Sequence, residues 1–329
     1  MIRMKTFVKP RIVSSKCIEF EFCRFNGQII RSDFVSQLQP FVEFLPVCAE
    51  VEIGLGIPRD PIRIVHDKTG KHLVQPSTGK DVTDAMDHFS KTYLDSLVDI
   101  DGFILKSQSP SCGLRDVKIF PAEKNVAPIM RSSGFFGERV LQRFPLLAVE
   151  DEMRLKNSII REHFLRKIFT FASFRSTRKT QSIPQLIQFH SENKFLFMSY
   201  SQKHLKEMGK LIANQASHQK SDVFSNYAQL LSELFAKAPR CTSTINVLHH
   251  MMGYVFAEIS KDEKQFFLSL LEQFRQGKIP ISAPVNLMRS WVIRTQQRYL
   301  LPQTFFQPYP DELLDAEALT SCGLRDFWK

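Results

Sequence analysis

The sequence predicts an α/β domain with a mostly parallel sheet over residues 1–150, followed by an all-α helical bundle over residues 151–329. Three observations carry that prediction. Before residue 150, short β-rich apolar runs alternate with helical periodicity, the pattern of strands joined by crossover helices. After residue 150 only helical periodicity remains. With 329 residues, 43% of them hydrophobic and 24% charged, the chain is long enough for two cores.

Taken in order, Arg11–Ser15 reads as a first strand, Ser32–Leu45 as a helix and Val47–Val51 as a second strand. A Gly/Pro-rich loop, 54–59, follows. Ile62–His66 and His72–Gln75 flank Asp67-Lys68-Thr69-Gly70 as a hairpin. Asp81–Leu97 reads as a helix with an acidic cap, Gly102–Lys106 as a buried strand and Leu146–Val149 as the last strand. Seven amphipathic helices are then predicted at Arg154–Phe174, Ile183–Met198, His204–Ala216, Val223–Ala236, Ser243–Ile259, Asp262–Arg275 and Pro284–Tyr299.

The opening MIRMKTFVKPRIVSSK lacks the apolar core of a signal peptide, and no later run approaches the roughly 20 apolar residues of a membrane span. A cytoplasmic protein with no membrane and no secreted partner is therefore expected. Net charge is +10 and unevenly placed. Residues 1–150 hold 20 Lys and Arg against 18 Asp and Glu, and residues 151–329 hold 24 against 16. The densest stretch, 151–180, sets Arg154, Lys156, Arg161, Arg166, Lys167, Arg175, Arg178 and Lys179 against Asp151, Glu152 and Glu162. Such a segment either tracks a phosphate backbone or is a solvated helix face.

Six cysteines in a chain read as cytosolic are core thiols or metal ligands rather than a disulfide framework. Cys17 follows the first strand, Cys48 lies in the second, and Cys112 lies in the loop after Phe103-Ile104-Leu105. Loops at the carboxyl ends of parallel strands converge on one crevice, so Cys17 and Cys112 are expected to meet there with Cys48 close by. Thiolates suit zinc or iron–sulfur centres, and three of them leave one metal position open. No Cys-x-x-Cys pair is present, so three small buried hydrophobes remain an alternative. The hydroxyl-rich loop Ser107-Gln108-Ser109-Pro110-Ser111-Cys112-Gly113 offers hydrogen bonds to cluster sulfides or a polar ligand. Glu50, two residues beyond Cys48 and on the same face of an extended strand, is placed to act as acid or base. Cys23, Cys241 and Cys322 read as non-ligands, with a spare thiol of the same crevice the alternative for Cys23, which is near Cys17. The motif Ser111–Asp116 recurs as Ser321–Asp326 around Cys322.

Ser15-Lys16-Cys17, the stretch Val47–Arg59 and the stretch Lys106–Gly113 resemble the three motifs of the thiouracil desulfidase (TudS) family. One departure is Cys48-Ala49-Glu50, where the family usually has Cys-Pro-Glu. From about residue 160 to 310 the chain resembles the YbgA-type helical domain, on His190–Ser201, Met208–Leu211, Asn246–Tyr254 and Phe274–Pro280. The fusion is similar to the RudS group. The resemblance implies a Rossmann-like first domain whose Cys17, Cys48 and Cys112 hold a [4Fe-4S] cluster. It further implies non-redox conversion of 4-thiouridine in tRNA, or of a related thiolated uracil, to the uracil form with release of sulfide. Glu50 and Ser109 would be catalytic, and Lys106, Ser107 and Arg59 would contact substrate.

Two other functions compete. A cluster-dependent tRNA sulfurtransferase needs substrate activation, and no Gly-x-x-x-x-Gly-Lys phosphate loop is present. A non-catalytic tRNA-binding module with a structural or sensing cluster is disfavoured by the missing fourth ligand. In the helical half His190, His249 and His250 invite a metal reading, but neighbours on a helix point about 100° apart. Arg289, Trp291, Arg294, Arg298 and Tyr299 interleave charge and aromatics as an RNA-stacking surface would, and core packing explains them equally well.

Overall fold

The structure is a computed structural model that describes residues 6–122, 127–215 and 219–314. In chain order these give β1 (Arg11–Ser15), α1 (Asp33–Leu38), β2 (Glu43–Val47), α2 (Ala49–Glu52), β3 (Arg63–Asp67), β4 (Gly70–Gln75), β5 (Lys80–Asp81) and α3 (Thr83–Ser96). There follow β6 (Gly102–Leu105), β7 (Val117–Pro121), β8 (Met130–Ser132), α4 (Phe135–Arg143), β9 (Ala148–Asp151) and α5 (Ser158–Thr180). The remaining helices are α6 (Ile183–Tyr200), α7 (Gln202–Ala213), α8 (Lys220–Leu234), α9 (Cys241–Val255), α10 (Lys261–Arg275) and α11 (Ser282–Arg294). Two compact units result. One takes in the described residues up to Ala172 with Glu312–Leu314, and the other is Ser173–Asp311.

The first unit is α/β. Its main sheet has the order β2-β1-β6-β9 and is parallel throughout, with Ser15 opposite Val47, Ser14 opposite Ile104 and Leu105 opposite Asp151. Central β6 is buried along its whole length, which is why Gly102-Phe103-Ile104-Leu105 reads as an unbroken apolar run rather than an alternating one. Gly102 is required by close approach, because a Cβ there would lie 2.7 Å from the carbonyl oxygen of Ala148. One core cluster joins Val13, Val47, Phe103 and Leu105 of this sheet to Met86 and Leu94 of α3 and Phe136 and Val140 of α4. It also takes in Ile64, Leu73, Val117 and Ile119 of a second sheet, ordered β5-β4-β3-β7-β8.

Several expectations are corrected here. The second strand lies four residues earlier than predicted, at Glu43–Val47, and the predicted helix Ser32–Leu45 ends at Leu38 with a 3-10 turn over Gln39–Phe41. Pro40 cannot continue the helix, whereas Pro46 is tolerated because β2 is an edge strand. Cys48 therefore caps the short helix α2, and Glu50 sits in that helix's first turn rather than on a strand. The hairpin β3–β4 forms as expected but belongs to the second sheet, and β7, β8 and α4 were not foreseen. Asp81 precedes the N-cap of α3 and accepts the Thr83 N–H at 2.8 Å.

The second unit is all helical. Its interior is aromatic: Tyr227 lies 5.3 Å from Phe174 and 6.1 Å from Phe189, and Phe197 packs at 6.2 Å against Phe235. Among the described residues no helix is long and apolar enough to cross a membrane. The repeated motif around Cys322 lies outside the described residues.

Candidate active site

Three parallel strands deliver parts of a pocket at the carboxyl edge of the main sheet: β1 runs into Lys16-Cys17, β2 into Cys48 and β6 into Lys106-Ser107. The fourth, β9, runs into Glu152, which holds Lys106 and Ser107 from behind the lining. The pocket is about 270 Å³, and Cys17, Cys48, Cys112, Glu50, Ser109, Lys106, Ser107 and Arg59 all line it, so it brings together every site residue named from the sequence. Cys23 lines it too. A larger recess of about 590 Å³ over α3 and α4 holds ion-paired Asp87, Arg139, Asp95 and Arg143 and no thiol.

The thiols share one neighbourhood. Cys48 Sγ donates to the Cys23 carbonyl at 3.9 Å, and the Cys23 thiol hydrogen-bonds with those of Cys17 and Cys48. Hydrogen bonding to Cys17, then burial, pushes Cys23 up to about 11. Contact with Cys23, then burial, raises Cys48 well above the ordinary thiol value. Burial pushes Cys112 up to about 12 against the opposing hydrogen bonds of Ser15 and Ser109. In this form they are neutral thiols, and a bound metal reverses the balance by taking the thiolate as ligand.

The loop that carries Cys112 is held by its own backbone and by α4. Ser109 Oγ accepts from the Ser111 and Cys112 amides at 3.2 and 3.1 Å, so Ser109 closes the turn around Cys112. The first amides of α4 donate outward, Phe135 N to the Pro110 carbonyl at 3.1 Å and Gly137 N to the Ser111 carbonyl at 3.0 Å. Those are donors a helix start leaves unpaired. Gly134 is needed for that approach, since a Cβ there would lie 2.6 Å from the carbonyl oxygens of Pro110 and Ser111.

Glu50 is held on both oxygens. Arg59 donates to Oε2 through Nη2 at 2.7 Å and Nε at 2.9 Å, and Ser111 Oγ donates to Oε1 at 3.0 Å. Arg59 Nη1 donates to the carbonyls of Cys23 and Gly56 at 3.1 and 2.9 Å, and its side chain is 4% exposed. Arg59 is thus committed to holding Glu50 and the Cys23 turn. Lys106 is paired with Glu152, a residue the sequence did not single out as part of the site.

The donor set fits an iron–sulfur cluster. Soft thiols of Cys17, Cys48 and Cys112 line one pocket, and the Ser15 and Ser109 hydroxyls hydrogen-bond with the Cys112 thiol. Among the described residues no group of three or more His, Cys, Asp or Glu is drawn together tightly enough for a single metal ion.

In the helical unit, His190 Nδ1 lies 3.1 Å from the Tyr227 hydroxyl, and His249 and His250 are exposed on α9. Trp291 is 3% exposed and packs on Phe267 at 5.2 Å, so it belongs to the core rather than to an RNA-stacking surface. Tyr299 stacks on Tyr254 at 5.4 Å, and Lys194 lies 5.6 Å from the Tyr299 ring centre.

Comparison with known proteins gives two family matches, 2-thiouracil desulfurase over residues 12–152 and a protein of unknown function, DUF1722, over residues 194–310. The uncharacterized protein YbgA of Escherichia coli (strain K12) is 26% identical over 126 residues, 38% of this chain and 75% of YbgA. The uncharacterized protein YbbK of Bacillus subtilis (strain 168) is 29% identical over 109 residues, 31% of this chain and 72% of YbbK. A solved structure of a [4Fe-4S]-dependent thiouracil desulfidase, TudS, is 30% identical and aligns over 45% of this chain and 94% of that one, with a TM-score of 0.36. The chain therefore joins an N-terminal domain of the 2-thiouracil desulfurase family to a C-terminal domain of the YbgA type.

Proposed function

We propose that this protein is an iron–sulfur-dependent desulfidase that replaces the sulfur of a thiolated uracil by oxygen, with 4-thiouridine in tRNA as its substrate. The observation that carries this is one pocket holding Cys17, Cys48, Cys112 and the clamped carboxylate of Glu50, in a domain of the 2-thiouracil desulfurase family. Cys17, Cys48 and Cys112 would hold a [4Fe-4S] cluster, which supplies, when bound, a Lewis-acidic iron free of protein ligands.

The chain's own part begins with Glu50. Glu50 takes a proton from water, whose oxygen forms the new bond to the ring carbon. The carbon–sulfur bond then breaks, and the sulfur leaves as sulfide with the protons of that water. One thiocarbonyl and one water thus become one carbonyl and one hydrogen sulfide, with no net oxidation. Arg59 and Ser111 fix the two oxygens of Glu50 so that its remaining lone pairs meet the pocket. Ser109 holds the turn that presents Cys112. The excess of Lys and Arg after residue 150 supports an RNA rather than a free base as substrate.

The test is anaerobic reconstitution with iron and sulfide, followed by incubation with tRNA containing 4-thiouridine. Loss of the thiobase's near-ultraviolet absorbance is expected, abolished in Cys112→Ala. In Glu50→Gln the brown colour stays and turnover goes; full activity in that variant removes the base assigned here. A second reading, a tRNA-binding module with a closed structural or sensing cluster, draws on Cys23, whose thiol touches Cys17 and Cys48. Cys23→Ser separates the two: the desulfidase keeps its iron, whereas a four-thiolate cluster loses it.

A further inference from the structure

Glu152 is a carboxylate with 4% of its side chain exposed, and charge is rarely left in such a place without partners. Both of its oxygens are engaged. Oε1 accepts from Lys106 Nζ at 2.6 Å and from Ser107 Oγ at 2.9 Å, and Oε2 accepts from the Ser107 amide at 2.8 Å. Lys106 Nζ also donates to the Ser107 carbonyl at 2.7 Å and to Ser107 Oγ at 3.0 Å. An ammonium has three protons, so all of them are directed at Glu152 and Ser107. Topology dictates the meeting: Leu105 of β6 pairs with Asp151 of β9, and the next residue on each strand end brings Lys106 opposite Glu152.

We propose that Glu152 is a positioning residue of the pocket, acting through Lys106 and Ser107 to fix the start of the loop that presents Ser109 and Cys112. This deepens the desulfidase reading and rests on it for its catalytic consequence. The carboxylate does not touch the reacting atoms. It orders the two residues that line the pocket at the head of the loop, and it removes from them the freedom to turn their donors toward a bound base.

The test uses the full-length chain and two readouts. Glu152→Gln keeps the shape, removes the charge and places an amide against donors. In the apoprotein, amide hydrogen exchange is expected to speed up in peptides covering 106–113 and to stay unchanged elsewhere in the first unit. In the reconstituted protein, iron content is expected to hold while kcat/KM on the thiolated substrate falls about tenfold to a hundredfold, the range of a charge-assisted hydrogen bond. Glu152→Asp, which retains the charge, is expected to recover part of both and serves as the test variant if Glu152→Gln does not fold. Unchanged exchange at 106–113, or a rise spread evenly over the unit, overturns the proposal. If the parent protein turns over no thiolated base, the desulfidase reading fails, while the exchange readout still decides the role of Glu152.

Discussion

Arg59→Met removes two of the three hydrogen bonds to Glu50, at 2.7 and 2.9 Å, and leaves only the Ser111 hydroxyl at 3.0 Å. The side chains of Glu50 and Arg59 are 14% and 4% exposed, so solvent replaces little of what is lost. Breaking a buried pair from one side costs about 3–5 kcal/mol. Glu50→Gln leaves a neutral oxygen for the guanidinium and costs less, about 1–3 kcal/mol. Once either partner is gone the other has less to lose, so the double variant is expected to fall short of additivity by about 2 kcal/mol. Cys112 supplies an assay specific to this unit, because the residue is only 7% exposed and becomes reactive on unfolding. Urea titrations of the reduced apoprotein, read by mass-resolved alkylation of Cys112, are expected to move the Arg59→Met midpoint down by roughly 1.5 M for a loss near 3 kcal/mol. A coupling below about 0.5 kcal/mol, the level of an exposed ion pair, would refute the view that this pair braces the pocket.

Gly134→Ala drives a methyl into the carbonyls of Pro110 and Ser111, which cannot swing aside as a side chain can. A loss of about 1–3 kcal/mol and faster alkylation of Cys112 than in the parent are expected. Ser260 and Glu263 cap α10 reciprocally, at 3.2 and 2.7 Å, so Ser260→Ala is expected to cost about 1 kcal/mol, read as a lower melting temperature. Burial, helped by the charge of Lys194, holds His190 down at about 4 from its ordinary 6.5. The unfolded chain takes that proton where the folded one refuses it. The contribution to stability is therefore intact above pH 6.5, falls as pH drops, and levels out below about 4 after a loss of about 3 kcal/mol. Melting temperatures across that range are expected to fall less steeply in His190→Gln, and an unchanged slope would assign the acid sensitivity to other groups.

The meeting of Cys17, Cys48 and Cys112 was legible because it follows from topology. Residues just beyond parallel strands collect at one edge whatever their spacing in the chain. The position of Cys48 within its element was not legible, because the run 41–48 contains a proline that reads as a break yet is compatible with an edge strand. The placement of Glu50 in the pocket was found through an incorrect strand face, and a helix turn supplies the same proximity. Glu152 left no local signal. Its role depends on Lys106 and Ser107, 46 and 45 positions away, and the last of three consecutive acids, Glu150-Asp151-Glu152, looks like part of a solvated run. Trp291, an aromatic beside arginines, is left open between stacking and core packing by the sequence, and its burial decides for the core.

The order β2-β1-β6-β9 has a consequence for how the protein matures. Three strands of the sheet lead directly into the pocket lining, and Cys17 and Cys112, 95 positions apart, both line it. Closing loops of that length is entropically unfavourable until the whole sheet is paired. A nascent or partly folded chain therefore lacks the pocket, not merely a finished version of it. A ribosome-bound chain that has not yet released β9 and Glu152 lacks the partner of Lys106 and Ser107, so any group the pocket is to hold meets a finished site only after the sheet has closed.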